Sequence, residues 1–151
     1  GGTDQDITDV IFTKANFGVV FVGAITGYGI DVRGNQHQIK FSRPADAQIY
    51  INVDVVEVAG WSLGKVQEIK DSIVSYFNGT QNIQGLESGY EIAETVRASN
   101  YYAGLSKMTG FHINSIEVKN GIGGTFAQSA QLNWNEYPVI DEANITVTHA
   151  P

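Results

Sequence analysis

Cysteine is absent from this chain of 151 residues. That excludes disulfides, thiolate nucleophiles, zinc ribbons and iron–sulfur sites together. It leaves the redox compartment open, because a chain without thiols tolerates either state. Basic residues are scarce: nine Lys and Arg stand against sixteen Asp and Glu, a net charge of −7. Such a chain lacks the basic face that displaces counterions from a phosphate backbone, so nucleic acid is not expected as a partner. No apolar run approaches the roughly 18 residues of a spanning helix, and membrane insertion is not expected. Proline occurs only three times, while apolar residues reach 42%. Low-complexity disorder is thereby excluded, and the length suits one domain that buries roughly 68–70% of its unfolded surface. Methionine occurs once, as Met108, and the chain opens Gly1-Gly2-Thr3. A translated chain begins with Met, so the sequence is expected to be an excised piece of a longer protein.

Glycine, by contrast, is plentiful, with 17 residues, and it punctuates a pattern of alternating elements. Residues 3–17 read as a short helix, with Ile7, Val10, Ile11 and Ala15 apolar, Thr3 or Asp4 as N-cap, and acidic residues at the positive end. From Val19 the pattern turns to β. Val19-Val20-Phe21-Val22 is a strand-like run, and Ile30, Val32, Ile39 and Phe41 flank a hairpin turn at Arg33-Gly34-Asn35-Gln36. Ile49, Ile51, Val53 and Val55 alternate with polar residues or Tyr50, the pattern of a strand with one buried face. Val66, Ile69, Ile73, Tyr76 and Phe77 follow helical spacing, with Ser62 as expected N-cap and Asn78-Gly79 as stop. A polar connection over Gln81 to Gly89 follows. Tyr90 to Val96 reads as strand or helix start. Ser99 to Lys107 reads as a second short helix, with Ser99 as N-cap and Thr109-Gly110 ending it. Further strands are expected over 111–118, 130–134 and 144–148, the last two separated by Glu136-Tyr137-Pro138. The fold class expected is α+β: a mixed or antiparallel sheet with two to three helices packed on it.

Chemistry-bearing patterns find little footing. His37, His112 and His149 have no metal-site spacing, so no metal is expected. Asp4, Asp6 and Asp9 lack the Gly and distal Glu of a calcium loop and read as helix-start charges. Glu91 and Glu94 read as a solvated face rather than a glycosidase dyad. Gly121-Ile122-Gly123-Gly124-Thr125 lacks the Lys of a phosphate loop, and no Gly-x-Ser-x-Gly elbow occurs. Thr26-Gly27-Tyr28-Gly29 shares its letters with a potassium filter and nothing of its setting. No cofactor is expected, and the chain is expected not to be an enzyme. Tyr90, Tyr101 and Tyr102 cluster among the aromatics; exposed they would anchor a partner, and buried they would belong to the core.

One string is more specific. Asn35-Gln36-His37-Gln38-Ile39-Lys40-Phe41-Ser42-Arg43-Pro44, followed by Ile49-Tyr50-Ile51-Asn52-Val53, resembles the phage baseplate J-like proteins. Those proteins place a Gly-containing turn, a strand ending Phe-Ser-Arg-Pro and an Ile-Tyr-Val type strand in this order. The similarity continues through an amphipathic helix, here Val66 to Asn78, a short helix, here Ser99 to Gly110, and a strand, here Phe111 to Val118. It ends on Glu136, Pro138, Ile145 and Val147. It spans roughly Gly18 to Thr148.

The resemblance implies the carboxy-terminal portion of a wedge protein in a contractile-tail baseplate of a phage, prophage or related injection machine. Such a protein is structural. It would contact itself, as a dimer or ring, and neighbouring wedge subunits, in a virion tail baseplate assembled in the bacterial host cytoplasm. Residues 1–17 would be a helix or linker, and residues 18–151 the α+β region, with two small subdomains meeting near 58–64. Arg43, Tyr90, Tyr101 and Tyr102 are the candidate interaction residues. For Arg43, pairing with a carbonyl or carboxylate at the strand exit stands beside an inter-subunit ion pair. A carbohydrate- or receptor-binding module of a tail or surface protein is the alternative.

Overall fold

A computed structural model describes residues 2–16, 18–80 and 89–151; the polar connection expected from residue 81 lies, apart from Gly89, outside the described residues. The chain forms two compact units, Gly1–Arg43 and Pro44–Pro151. Residues 18–43 thus fall in one unit with the first helix, and residues 58–64 lie inside the second unit.

In the first unit Thr3 starts helix α1 (Asp4–Lys14) through a capping box. Its hydroxyl accepts from the Asp6 amide at 3.2 Å, and its own amide donates to Asp6 Oδ2 at 2.7 Å. The Thr3 hydroxyl, donating to Asp6 Oδ2 at 2.7 Å, and next the Thr3 amide hold the Asp6 carboxyl below its usual range. Strands β1 (Ile25–Ile30) and β2 (Gln36–Phe41) form the expected antiparallel hairpin, with Gly27 opposite Ile39 and Gly29 opposite His37. Here the Thr-Gly-Tyr-Gly string finds its physical reason. A Cβ at Gly27 would lie 2.0 Å from Thr8 Oγ1, and one at Gly29 would lie 2.3 Å from Phe12 Cγ. The two glycines let the helix settle directly on the strand. Thr8 is fully buried there, its hydroxyl donating to the Asp4 carbonyl at 2.7 Å.

Val19 to Val22 was expected to be a strand and is not one. Val20 is 84% exposed. The last hairpin pair is Ile25 with Phe41, and beyond it the partner side runs into Pro44, which has no amide to donate. Without a ladder partner, β propensity alone does not make a strand.

The second unit is built on β3 (Ala45–Glu57), whose alternation behaves as the sequence predicts: Ile49, Ile51, Val53 and Val55 are fully buried. It is the central strand of a mixed sheet, antiparallel to β5 (Phe111–Asn120) and parallel to β7 (Glu136–Ala150). Helix α2 (Gly64–Phe77) contributes Ile69 and Ile73 to the core, and the short helix α3 (Ser99–Leu105) contributes Tyr101 and Leu105. Each such side chain stabilises by about 1.5–3 kcal/mol relative to exposure. A small pair, β4 (Val96–Arg97) with β6 (Ser129–Ala130), completes the unit.

Several boundaries differ from expectation. Leu63, not Ser62, is the N-cap of α2, and Ala98, not Ser99, that of α3; neither cap makes a side-chain bond. Of the 90–96 stretch only Val96 joins a strand, β4, and Ala93 there takes a φ of 62°. The strand expected over 130–134 shrinks to Ser129–Ala130. Glu136-Tyr137-Pro138, read as a separator, belongs to β7 instead. Pro138 pairs with Ala47 on an edge strand, where a missing amide is tolerated. The ladder then skips from Ile140 to Ile145 across a register shift.

Candidate interaction surfaces

Arg43 sits just after β2, held extended by the following Pro44. Its Nε and Nη2 both donate to Asp4 Oδ1, at 3.0 and 2.7 Å, and Nη2 also donates to the Gly2 carbonyl at 2.8 Å. Of the two readings of Arg43, the structure realises the pairing within the chain: the guanidinium ties the exit of β2 to the start of α1. Nearby, Asp31 fastens the hairpin turn, accepting from the amides of Arg33 and Asn35 and from Asn35 Nδ2 at 2.8 to 3.0 Å, with His37 Nε2 at 3.1 Å. The Asn35 side chain first, and His37 next, hold its carboxyl well below the usual range. Its lone pairs are thereby spent on the protein.

The three tyrosines part company. Tyr90 and Tyr101 are core residues, so an exposed anchor built from them is corrected. Their hydroxyls meet at 3.0 Å, Asn100 Nδ2 donates to Tyr90 at 3.4 Å, and the rings pack against Tyr76 and Phe77. Burial pushes both phenols above their ordinary values. The apolar face of α2 leaves a gap that large amphipathic rings fill, with each hydroxyl satisfied by the other. Tyr102 is only half-buried, and its hydroxyl accepts from the Ile116 amide at 3.2 Å.

Tyr102 also lines a cleft of about 540 Å³ of mixed character, with Val58, Met108 and Phe111 beside Ser106, Thr109 and His112, where β3 ends and β5 begins. No Asp, Glu, Lys or Arg lines it. At the same end of the sheet Trp61 packs edge-on to Phe111 and against His149, whose Nδ1 lies 2.6 Å from Glu57 Oε1. Among the described residues, no three His, Asp or Glu side chains are placed to share a metal ion.

The opposite end of the sheet, where β7 begins, carries a residue that the sequence reading placed inside a strand. Trp134 is 83% exposed, on a turn that its neighbours lock. Asn133 donates from its amide to Glu136 Oε2 at 2.8 Å and from Nδ2 to Glu136 Oε1 at 2.9 Å, while the Glu136 amide donates to the Asn133 carbonyl at 3.0 Å. The Ala45 amide binds the Asn135 carbonyl at 2.8 Å, fixing the turn to β3. Those bonds, the Asn133 amide foremost, hold the Glu136 carboxyl below its usual range. The signal was present as Asn133 three residues before Glu136, the spacing at which a side chain and a backbone amide cap each other.

Compared with known proteins, the chain matches no protein-family model, and no curated protein matches it.

Proposed function

We propose that the chain is a non-catalytic assembly subunit, a wedge-type component of a contractile-tail baseplate that binds itself and neighbouring wedge subunits. Its place would be the tail baseplate, put together in the cytoplasm of a bacterial host. The observation that carries the assembly role is Trp134: a large aromatic side chain left in solvent on a turn that three internal hydrogen bonds and a tie to β3 hold still. Trp is the residue most enriched among the anchors of protein interfaces, and pre-organisation removes part of the ordering cost of binding. The baseplate assignment comes from the Phe41-Ser42-Arg43-Pro44 string and the segment order that accompanies it.

Charge restricts the surfaces through which copies can meet. The first unit holds four acidic and four basic residues, so the entire −7 falls on residues 44–151. Copies that meet must therefore do so through uncharged patches or the neutral unit. A sugar-binding role needs polar groups beside the aromatic platform, and here Asn133 and Glu136 are consumed in holding the turn.

Sedimentation velocity from micromolar to near-millimolar concentration, beside a glycan array, tests the proposal. Association that grows with concentration, with no glycan retained, is expected. A chain that stays monomeric and is retained selectively by a glycan overturns it.

A further inference from the structure

We infer that two copies exchange α1, each helix seating on the other's hairpin, while Val19 to Val22 of the two chains pair as antiparallel strands between them. The inference rests on the assembly reading, that copies of this chain bind one another, and adds a contact made by the neutral first unit. What identifies the occupant is the seat. Gly27 and Gly29 are matched to Thr8 and Phe12, since a Cβ at either glycine would overlap those side chains, and α1 of a second copy carries the same two residues. An isolated helix of eleven residues is marginal in water, so α1 released from one seat regains its stability on another of the same kind. There the exchange restores the contacts it breaks. Thr8 is again buried at Gly27, Phe12 lies with its ring centroid 5.5 Å from that of His37, and Arg43 binds Asp4 and the Gly2 carbonyl. Arg43 then joins two subunits with no change of partner residue.

The connecting segment decides between the closed and the exchanged form. It covers residues 15–24, between α1 and β1. Extended, it spans roughly 33 Å, about twice the roughly 16 Å length of α1, enough to reach a neighbouring seat without disturbing the hairpin. In the closed chain its β-prone run makes no ladder, and Val19, Val20 and Val22 are 52%, 84% and 79% exposed. About a two-fold axis the run is its own complement. Antiparallel pairing sets Val20 opposite Phe21 of the second copy and Val19 opposite its Val22, combinations of β-branched and aromatic side chains that stabilise a ladder. No charged residue falls between Lys14 and Asp31, so nothing in the run repels its copy. A reciprocal exchange of identical elements leaves no seat unfilled, and it stops at a dimer.

Two measurements on the full chain test this. Isotopically light and heavy chains are refolded together, the dimer is isolated, and isotope-filtered NOE spectra are read for the contact between the Phe12 and His37 rings. In the exchanged dimer that contact should join a light chain to a heavy one. Sedimentation velocity then compares the parent with Val20→Asp and Val22→Asp. Both positions are exposed, so circular dichroism and thermal melting at micromolar concentration should match the parent. Each variant should dimerise at least about tenfold more weakly, because the paired run then sets carboxylates among apolar side chains. A dimer whose Phe12–His37 contact stays within each chain, or that forms equally well in both variants, overturns the exchange and leaves the assembly reading standing. A parent that remains monomeric to near-millimolar concentration overturns both.

Discussion

Arg43 and Asp4 are joined across 39 residues by two hydrogen bonds to a single carboxylate oxygen. The pair closes the first unit on itself, tying the last residue of that unit to the first turn of α1, where a carboxylate already favours the helix dipole.

Both groups are well exposed, so solvent and salt screen them. Arg43→Ala and Asp4→Asn are each expected to destabilise the chain by about 0.5–1 kcal/mol. A double-mutant cycle read by urea unfolding should give a positive coupling that shrinks as salt rises. Arg43→Lys should not restore it, because an ammonium cannot reproduce the side-on guanidinium geometry.

Glycine at 27 and 29 makes a larger demand. Gly27→Ala and Gly29→Ala would each force α1 off the hairpin, since the new methyl would overlap Thr8 or Phe12. Overpacking of this kind costs about 1–3 kcal/mol. Gly34, with a φ of 83° and no atom within reach of a Cβ, is the control: its Ala variant should lose only the left-handed penalty of about 1–2 kcal/mol and keep α1 seated. Exchange protection of the α1 amides separates the two cases.

The Tyr90–Tyr101 pair predicts a pH dependence at the alkaline end. Both phenols have folded pKa values raised above the ordinary 10.0. The unfolded chain therefore loses these protons first as pH rises. Stability is fully present below about pH 10 and falls between the unfolded value and the raised folded one. Tyr101→Phe should flatten that fall while costing about 1–2 kcal/mol at neutral pH, since it removes one partner of a buried hydroxyl. The double Phe variant should cost less than the two single losses added together. Chemical unfolding at pH 7 and at pH 10.5 measures both effects.

Ala93 holds a left-handed backbone at φ 62°, its amide donating to the Glu136 carbonyl at 2.8 Å. Ala93→Gly should relieve the Cβ clash and raise stability by about 0.5–1 kcal/mol, after the extra freedom of glycine in the unfolded chain is set against it. A higher urea midpoint with an unchanged slope is the expected result.

These features divide by whether a sequence pattern could reveal them. The alternation of Ile49, Ile51, Val53 and Val55 and the helical spacing of Val66 to Phe77 follow from burial of one face, which a single segment displays by itself. The α+β class was legible on that ground. Val19 to Val22 carries the same β-prone letters, yet strand formation depends on a partner that Pro44 denies it, and no local pattern contains that information. Trp134 was hidden for the converse reason: Ala130 to Trp134 alternates, while the bonds from Asn133 to Glu136 turn the chain out of the sheet. Tyr90 and Tyr101 cluster in sequence, but only tertiary packing decides whether such a cluster faces a partner or the core.

The central position of β3 has a consequence for the order of folding. Its residue Asp54 is bonded to Asn114 on one side and Thr148 on the other, 60 and 94 residues further along. The most apolar strand of the unit is thus formed early in the chain and flanked late, and closing the longer loop comes at an entropic cost that only the finished sheet repays. In the interval both edges of β3 stand open to any passing strand, including β3 of another copy. The fold thus carries, inside it, a route to strand exchange between copies that the arrival of β7 shuts.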